Sequence, residues 1–373
     1  VLELADIFRA AGEAYRARFG ARLLPSHLKA MRAIEACPTA ALGGHLRQCD
    51  TCGAYAYSYH SCGNRHCPKC QGERTHRWLE RQRARLLPCA YYLLTFTLPA
   101  QLRAVAQAHQ KRLYGLLLRA AAQAVVVLAA DPRYLGARPG VIAVLHTWTR
   151  ALLYHPHAHL LVTAGGLTPD EQAWRFPRHR DFLVPGRVLS VLFRATVREA
   201  VAQAGLLPLV PPKAWRRRWV VHVQPAGSGQ QVLEYLARYL FRVALANSRL
   251  DRFEDGAVTF RYRESGSGEL HRCRLPAPEF IRRFLQHVLP RGLTMVRAYG
   301  LYSPTCRAAL ERARALVRRW QAATGSPDAP RPDSGPAPGE SADPLCPACQ
   351  HGRLLIVQAI PRPLTPASAR DPP

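Results

Sequence analysis

The sequence predicts an α+β fold with a small zinc-binding module at its N-terminal end, and three observations carry that reading. Strand-like and helix-like segments are interspersed without regular βαβ alternation, and one pair of strands is joined by a hairpin signal. A second observation is the run His155-Pro156-His157-Ala158-His159-Leu160-Leu161-Val162, whose period of two puts three imidazoles on one face of a strand and Ala158, Leu160 and Val162 on the other. The third is a block that holds Cys37, His45, Cys49, Cys52, Cys62, His66, Cys67 and Cys70 within a short polar stretch.

Taken in order, residues 1–36 form a helical cap, with Leu4, Ile7 and Phe8, then Leu28, Met31 and Ile34, at helical spacing. The zinc module occupies 37–72, and an arginine-rich linker with a helical look occupies 73–89. The main domain spans 90–300. It starts with Tyr91–Leu98, rich in aromatic and β-branched residues and stopped by Pro99, followed by a long Ala/Leu helix over 100–130. Strands are predicted over 141–147 and 155–163, the second closed by Gly165-Gly166, then a helix over 188–205, a short strand over 220–223 and an amphipathic helix over 232–245. Val258–Tyr262 and Leu270–Arg274, joined by Ser265-Gly266-Ser267-Gly268, read as a hairpin, and 278–289 as a helix. A C-terminal helix within 301–324 leads to a linker over 325–344 rich in Pro, Gly, Ser and Asp. Beyond it, 345–361 holds a further knuckle, Cys346-Pro347-Ala348-Cys349, which supplies half a tetrahedral site and either borrows ligands elsewhere or is inert.

Charge narrows the partner. There are 52 Lys and Arg against 25 Asp and Glu, a formal net charge of +27, and lysine stands only at 29, 69, 111 and 213. A polyanion fits this excess, and arginine suits bidentate phosphate contacts. Arg216-Arg217-Arg218 between Trp215 and Trp219 combines cations with stacking surfaces. No apolar run approaches the roughly 20 residues that span a bilayer, and Glu3 and Asp6 break the pattern of a signal peptide. A cytoplasmic, nucleoid-associated location is therefore expected, and the cysteines are read as metal ligands in preference to disulfides.

The pairs Cys49/Cys52 and Cys67/Cys70 are each C-x2-C with 14 residues between them, close to the spacing at which two knuckles share one tetrahedral ion. On this reading Cys37, His45, Cys62 and His66 remain for a second ion, with the interleaving open. On the histidine strand, two imidazoles at i and i+2 can grip one divalent ion. Downstream, Tyr235 and Tyr239 are four apart, which places both phenols on one helix face. A phenolate there can attack a phosphodiester and conserve its bond energy as a phosphotyrosine.

These features resemble the rolling-circle transposases of the insertion-sequence-91 group, members of the HUH single-strand endonucleases. The likeness rests on Cys37-Pro38-Thr39-Ala40-Ala41-Leu42-Gly43-Gly44-His45, on Ser61-Cys62-Gly63-Asn64-Arg65-His66-Cys67-Pro68-Lys69-Cys70, and on His157-Ala158-His159. It rests further on Tyr235-Leu236-Ala237-Arg238-Tyr239 with Arg242-Val243-Ala244, and on His287-Val288-Leu289-Pro290-Arg291-Gly292. The resemblance implies a palm-like nuclease domain with a central antiparallel sheet flanked by helices, and an N-terminal module with one or two Zn2+ that helps bind element ends. It implies Mg2+ or Mn2+ on His157 and His159, and Tyr235 and Tyr239 as paired nucleophiles that nick and join single-stranded DNA. For the third ligand, His155, His146, Gln231 and Glu234 stay open, with His155 slightly preferred for its place in the alternation. Two other readings remain: a histidine-triad nucleotide hydrolase, and a zinc-dependent DNA-binding protein without catalysis.

Overall fold

The computed structural model describes residues 2–70, 85–228, 244–264, 267–324 and 344–363. Two helices open the chain, α1 (Leu4–Phe19) and α2 (Pro25–Glu35). Helix α1 starts in a capping box in which Asp6 Oδ2 accepts the Glu3 N–H at 2.9 Å, and α2 starts on Pro25, whose missing N–H costs nothing in a first turn. Strands β1 (Gly44–Cys49) and β2 (Tyr55–Tyr59) follow, neither of them expected, although Tyr55-Ala56-Tyr57-Ser58-Tyr59 alternates with period two.

The main domain is built on β3 (Ala90–Thr97), helix α3 (Gln110–Ala130), β4 (Gly140–Trp148), β5 (Tyr154–Thr163), helix α4 (Gly186–Gln203) and β6 (Val221–Ser228). After these come β7 (Leu250–Glu254), β8 (Ala257–Arg263), β9 (Leu270–Pro276), helix α5 (Ala277–Leu285), β10 (Val296–Gly300), helix α6 (Arg307–Thr324) and β11 (Leu354–Ile360). The expected helix over 100–130 is interrupted at His109, which leaves the helical region, and the helix expected over 278–289 ends at Leu285. Strands β7 and β10 were not anticipated; Val296-Arg297-Ala298-Tyr299-Gly300 is short and half-buried throughout, with no alternation to reveal it.

The central sheet is antiparallel, in the order β10-β4-β5-β3-β6, as the α+β reading with a central antiparallel sheet requires. Period-two alternation decides its two faces. Leu94 and Phe96, Val141, Ala143 and Leu145, and Ala158, Leu160 and Val162 point into one core, where α3 and α4 cover them with side chains such as Leu117, Ala121, Phe193 and Val197. The opposite face is split: Tyr91, Ile142, Val144 and Leu161 lie under Leu310, Ala313 and Val317 of α6, while the histidine end is left to a cleft. Helix α3 is, among the described residues, the one helix long and apolar enough to cross a membrane, contrary to the expectation that no segment comes close; most of its apolar side chains are taken up by the core, and Val127 is exposed.

A second core joins the N-terminal cap to the later part of the chain. Leu4, Ile7 and Phe8 of α1 and Met31 and Ile34 of α2 pack with Val258 and Phe260 of β8 and with Phe280, Ile281 and Phe284 of α5. The three-stranded sheet β9-β8-β7 is thereby fixed beside the central sheet, and β11-β1-β2 forms a third small sheet at the N-terminal module.

Candidate metal centres

Strand β5 delivers its histidines as the alternation demands. Pro156, Ala158 and Leu160 are buried, and His155, His157 and His159 are half-buried on the opposite face. Register then supplies the neighbours: His159 lies opposite Thr95 on β3, and His157 opposite His146 on β4. The potential ligand atoms of His146, His157 and His159 all lie within 4.8 Å of one another. His157 Nδ1 donates to the His155 carbonyl at 2.7 Å, which leaves Nε2 with the lone pair. His159 Nδ1 meets Thr95 Oγ1 at 3.0 Å, and the His146 ring stacks on Trp148 at 5.0 Å. Each ring is thus oriented from behind, as metal-binding imidazoles are. Burial holds the His157 pKa down to about 3, with His159 beside it adding to the effect, and holds His159 down to about 4. Both are neutral at ordinary pH, the state that binds metal.

His155, the slightly preferred third ligand, turns elsewhere: Arg103 Nη2 donates to its Nδ1 at 2.8 Å, and His146 takes the third place in the cluster. A two-residue repeat could not show this, because the third imidazole comes from a neighbouring strand. Tyr235 and Tyr239, with Gln231 and Glu234, lie outside the described residues.

The three imidazoles stand on the floor of a cleft of about 830 Å³. Its walls include Arg150, Arg249, Arg261 and Arg263, partly from β8, and also Ala244, the first described residue after the segment that carries the two tyrosines.

Eight of the eleven cysteines form two groups of four, Cys37/Cys62/Cys67/Cys70 and Cys49/Cys52/Cys346/Cys349. The two knuckles expected to share one ion, 49/52 and 67/70, therefore fall in different groups. In the first group Cys37 and Cys70 Sγ are 3.6 Å apart and Cys62 and Cys70 Sγ 3.5 Å. These separations are far too long for a disulfide and close to the ~3.8 Å edge of a tetrahedron with Zn–S bonds of about 2.3 Å. Backbone N–H groups of Cys62 and Asn64 point at Cys37 and Cys62 Sγ, both at 3.4 Å. Burial pushes the Cys37 thiol up to about 12, so binding a cation there would release its proton.

His45 and His66, both expected as ligands, belong to neither group. His45 lies on β1 with its ring edge-on to His60. His66 Nε2 accepts the Leu289 N–H at 3.3 Å, and burial lowers its pKa to about 3. Its neighbour Arg65 donates to the carbonyls of Leu293 at 2.7 Å and Pro290 at 2.9 Å. The segment so held continues from His287, which contacts Thr147 Oγ1 and the Leu152 carbonyl, both at 3.3 Å. Asn64-Arg65-His66 is thus a brace between the cysteine module and the strand that carries His146, a role that spacing did not reveal.

Residues 140–309 match the family model described as "Putative transposase", and residues 7–98 match the transposase zinc-binding domain. The "Putative transposase y4qJ" of Sinorhizobium fredii (strain NGR234) is 40% identical over 387 residues, covering 95% of each chain. The transposase for insertion sequence element IS801 of Pseudomonas savastanoi pv. phaseolicola is 30% identical over 285 residues, covering 71% of this chain and 67% of its own. The chain belongs to the insertion-sequence-91 family of transposases. No solved structure matches it. A transposase acts on DNA, a polyanion to which the +27 charge of this transposase is suited. Its N-terminal module is a zinc-binding domain, and the sulfur separations within that module suit the metal.

Proposed function

We propose that this transposase nicks and joins single-stranded DNA through a 5′-phosphotyrosine intermediate, in rolling-circle transposition. The observation that carries the reading is the convergence of His146, His157 and His159 on the floor of a cleft walled by arginines. These three residues would hold Mn2+ or Mg2+, which supplies Lewis-acid polarisation of the scissile phosphate. Three nitrogen donors suit Mn2+ better than Mg2+, which demands oxygen. Arg150, Arg249, Arg261 and Arg263 would take the flanking phosphates. Thr95 and the His155 carbonyl hold the His159 and His157 rings in place, and the apolar floor beneath them keeps both imidazoles unprotonated.

Tyr235 or Tyr239 acts as the nucleophile. Its phenolic oxygen loses a proton and attacks phosphorus, the bond to the 3′ oxygen breaks, and the 5′ phosphate stays on tyrosine while the 3′ oxygen is protonated. A later 3′-hydroxyl attacks the phosphotyrosine and reverses the step, and the second tyrosine serves the second transfer. In the N-terminal module Cys37, Cys62, Cys67 and Cys70 hold Zn2+ and keep the Arg65 brace in register.

Incubation with labelled single-stranded DNA and Mn2+ or Mg2+ is expected to give a covalent protein–DNA adduct. The adduct should be lost in Tyr235→Phe with Tyr239→Phe, in His157→Ala and in His146→Ala, and kept in His155→Ala. Hydrolysis of dinucleotides with no adduct on any strand would overturn the reading.

A further inference from the structure

The C-terminal arm, residues 344–363, crosses to the N-terminal module. Strand β11 pairs with β1 from Gly44↔Ile360 to Cys49↔Leu354, and this brings Cys346 and Cys349 beside Cys49 and Cys52. The Sγ atoms of Cys49 and Cys349, and of Cys52 and Cys346, are each 3.7 Å apart, the edge of a zinc–thiolate tetrahedron and far beyond a disulfide bond.

The two knuckles have the same build. Gly53 and Gln350, each next after the second cysteine, are left-handed with φ of 72° and 60°, and each donates its N–H to the carbonyl of the first, at 3.1 and 2.8 Å. For glutamine that conformation is costly and persists only where its surroundings require it. Backbone N–H groups point at sulfur in both: Thr51 and Cys52 at Cys49 Sγ, both 3.4 Å, and Gly352 at Cys349 Sγ, 3.3 Å. Gly352 permits the close approach, since a Cβ there would collide with Cys49 Sγ. Asp50 bonds the two knuckles directly, accepting the Arg353 N–H at 2.9 Å and donating its own N–H to the Arg353 carbonyl at 3.1 Å.

Apolar burial does not explain why the arm stays. Leu354 is 6% exposed, but Leu355, Ile356 and Val357 are 44%, 51% and 50% exposed, and the local core consists of Cys49, Cys346 and Leu354 with Ala54, Ala56 and Cys349 packed against it. We propose that Cys49, Cys52, Cys346 and Cys349 bind a second zinc ion that clasps the C-terminal arm onto the N-terminal module. Two of these thiolates lie beyond both family matches, which end at residues 98 and 309, so the site joins regions that those matches leave separate.

The test is metal content of the full chain by elemental analysis, together with retention of the arm after cleavage at a protease site inserted between 325 and 343. Wild type should carry one zinc more than Cys346→Ser with Cys349→Ser, and Cys49→Ser with Cys52→Ser should lose that same zinc, with all four changes together losing no more. The cleaved arm should co-elute with the rest of wild type and separate from it in the Cys346→Ser with Cys349→Ser protein. Unchanged zinc in that protein, iron in place of the zinc, or an arm that stays bound without its cysteines would overturn the proposal. Should the Cys49 variants not fold, the C-terminal pair alone decides it.

Discussion

Cys37, Cys62, Cys67 and Cys70 adjoin an apolar core that runs from Phe8 and Met31 to Phe280 and Phe284, whereas Cys49, Cys52, Cys346 and Cys349 have Leu354 as their one buried aliphatic neighbour. The first group closes within 33 residues of chain; the second joins positions about 300 apart. Fully burying one leucine is worth about 1.5–3 kcal/mol, and a structural zinc site in a small module is worth on the order of 10 kcal/mol. In the first setting metal and core reinforce one another, and Arg65 and His66 pass that order on to the nuclease strands. In the second, apolar burial is slight, and the arm is held by the pairing of β11 with β1, by the bonds between Asp50 and Arg353 and, on our proposal, by metal.

The largest test of this contrast is Cys67→Ser against Cys346→Ser. Cys67→Ser should cost at least about 4 kcal/mol in global stability and abolish adduct formation, because it disrupts both a metal site and a core. Cys346→Ser should leave the main thermal transition within about 2 °C of wild type, the arm being peripheral to it. Equal losses in the two would erase the distinction. Next is Arg65→Ala, which strands the Leu293 and Pro290 carbonyls without their charged donor. It should cost about 2–3 kcal/mol in chemical denaturation and lower nicking, while zinc content is unchanged.

Smaller again is Leu354→Ala, at about 2 kcal/mol, the low end for a buried leucine. That cost should be local, read as faster amide exchange across 354–360 with the main transition unmoved.

The smallest concerns Glu279, at the start of α5 beneath the first cluster's core. Bonds from Arg282, and then from Arg283, hold its carboxyl well below the ordinary 4.5, to about 2. Because the folded value is depressed, the stabilisation is complete above pH 4.5 and is lost as pH falls from there through 2. Glu279→Gln should flatten acid unfolding in that window by under about 1 kcal/mol, the site being partly exposed.

Much of the fold was legible in the chain. Leu160 and Val162 against His157 and His159 gave the two faces of β5 correctly, and Pro99 ended its neighbour as expected. The knuckles were legible too, since C-x2-C is a local geometry. Their partners were not: spacing favoured 49/52 with 67/70, yet strand pairing of β1 with β11 brings 346/349 to the first pair. Nor could alternation tell His155 from His146. The decision rests on Arg103, which engages His155, and on the register that sets His146 opposite His157. Strand β2 carries a readable signal in its three alternating tyrosines, Tyr55, Tyr57 and Tyr59.

The amino-acid sequence by itself determined what short-range physics controls: the period-two histidine face, the knuckle turns, the cationic excess, and family membership through its order of motifs. Tertiary structure alone decided which residues meet across hundreds of positions. It turned His66 from a presumed ligand into a brace, made His146 the third member of the histidine cluster, and set the C-terminal cysteines beside Cys49 and Cys52. The physical reason is that a ligand set requires donor atoms to converge in space, and convergence between distant segments is settled by strand register and packing, which local spacing does not encode.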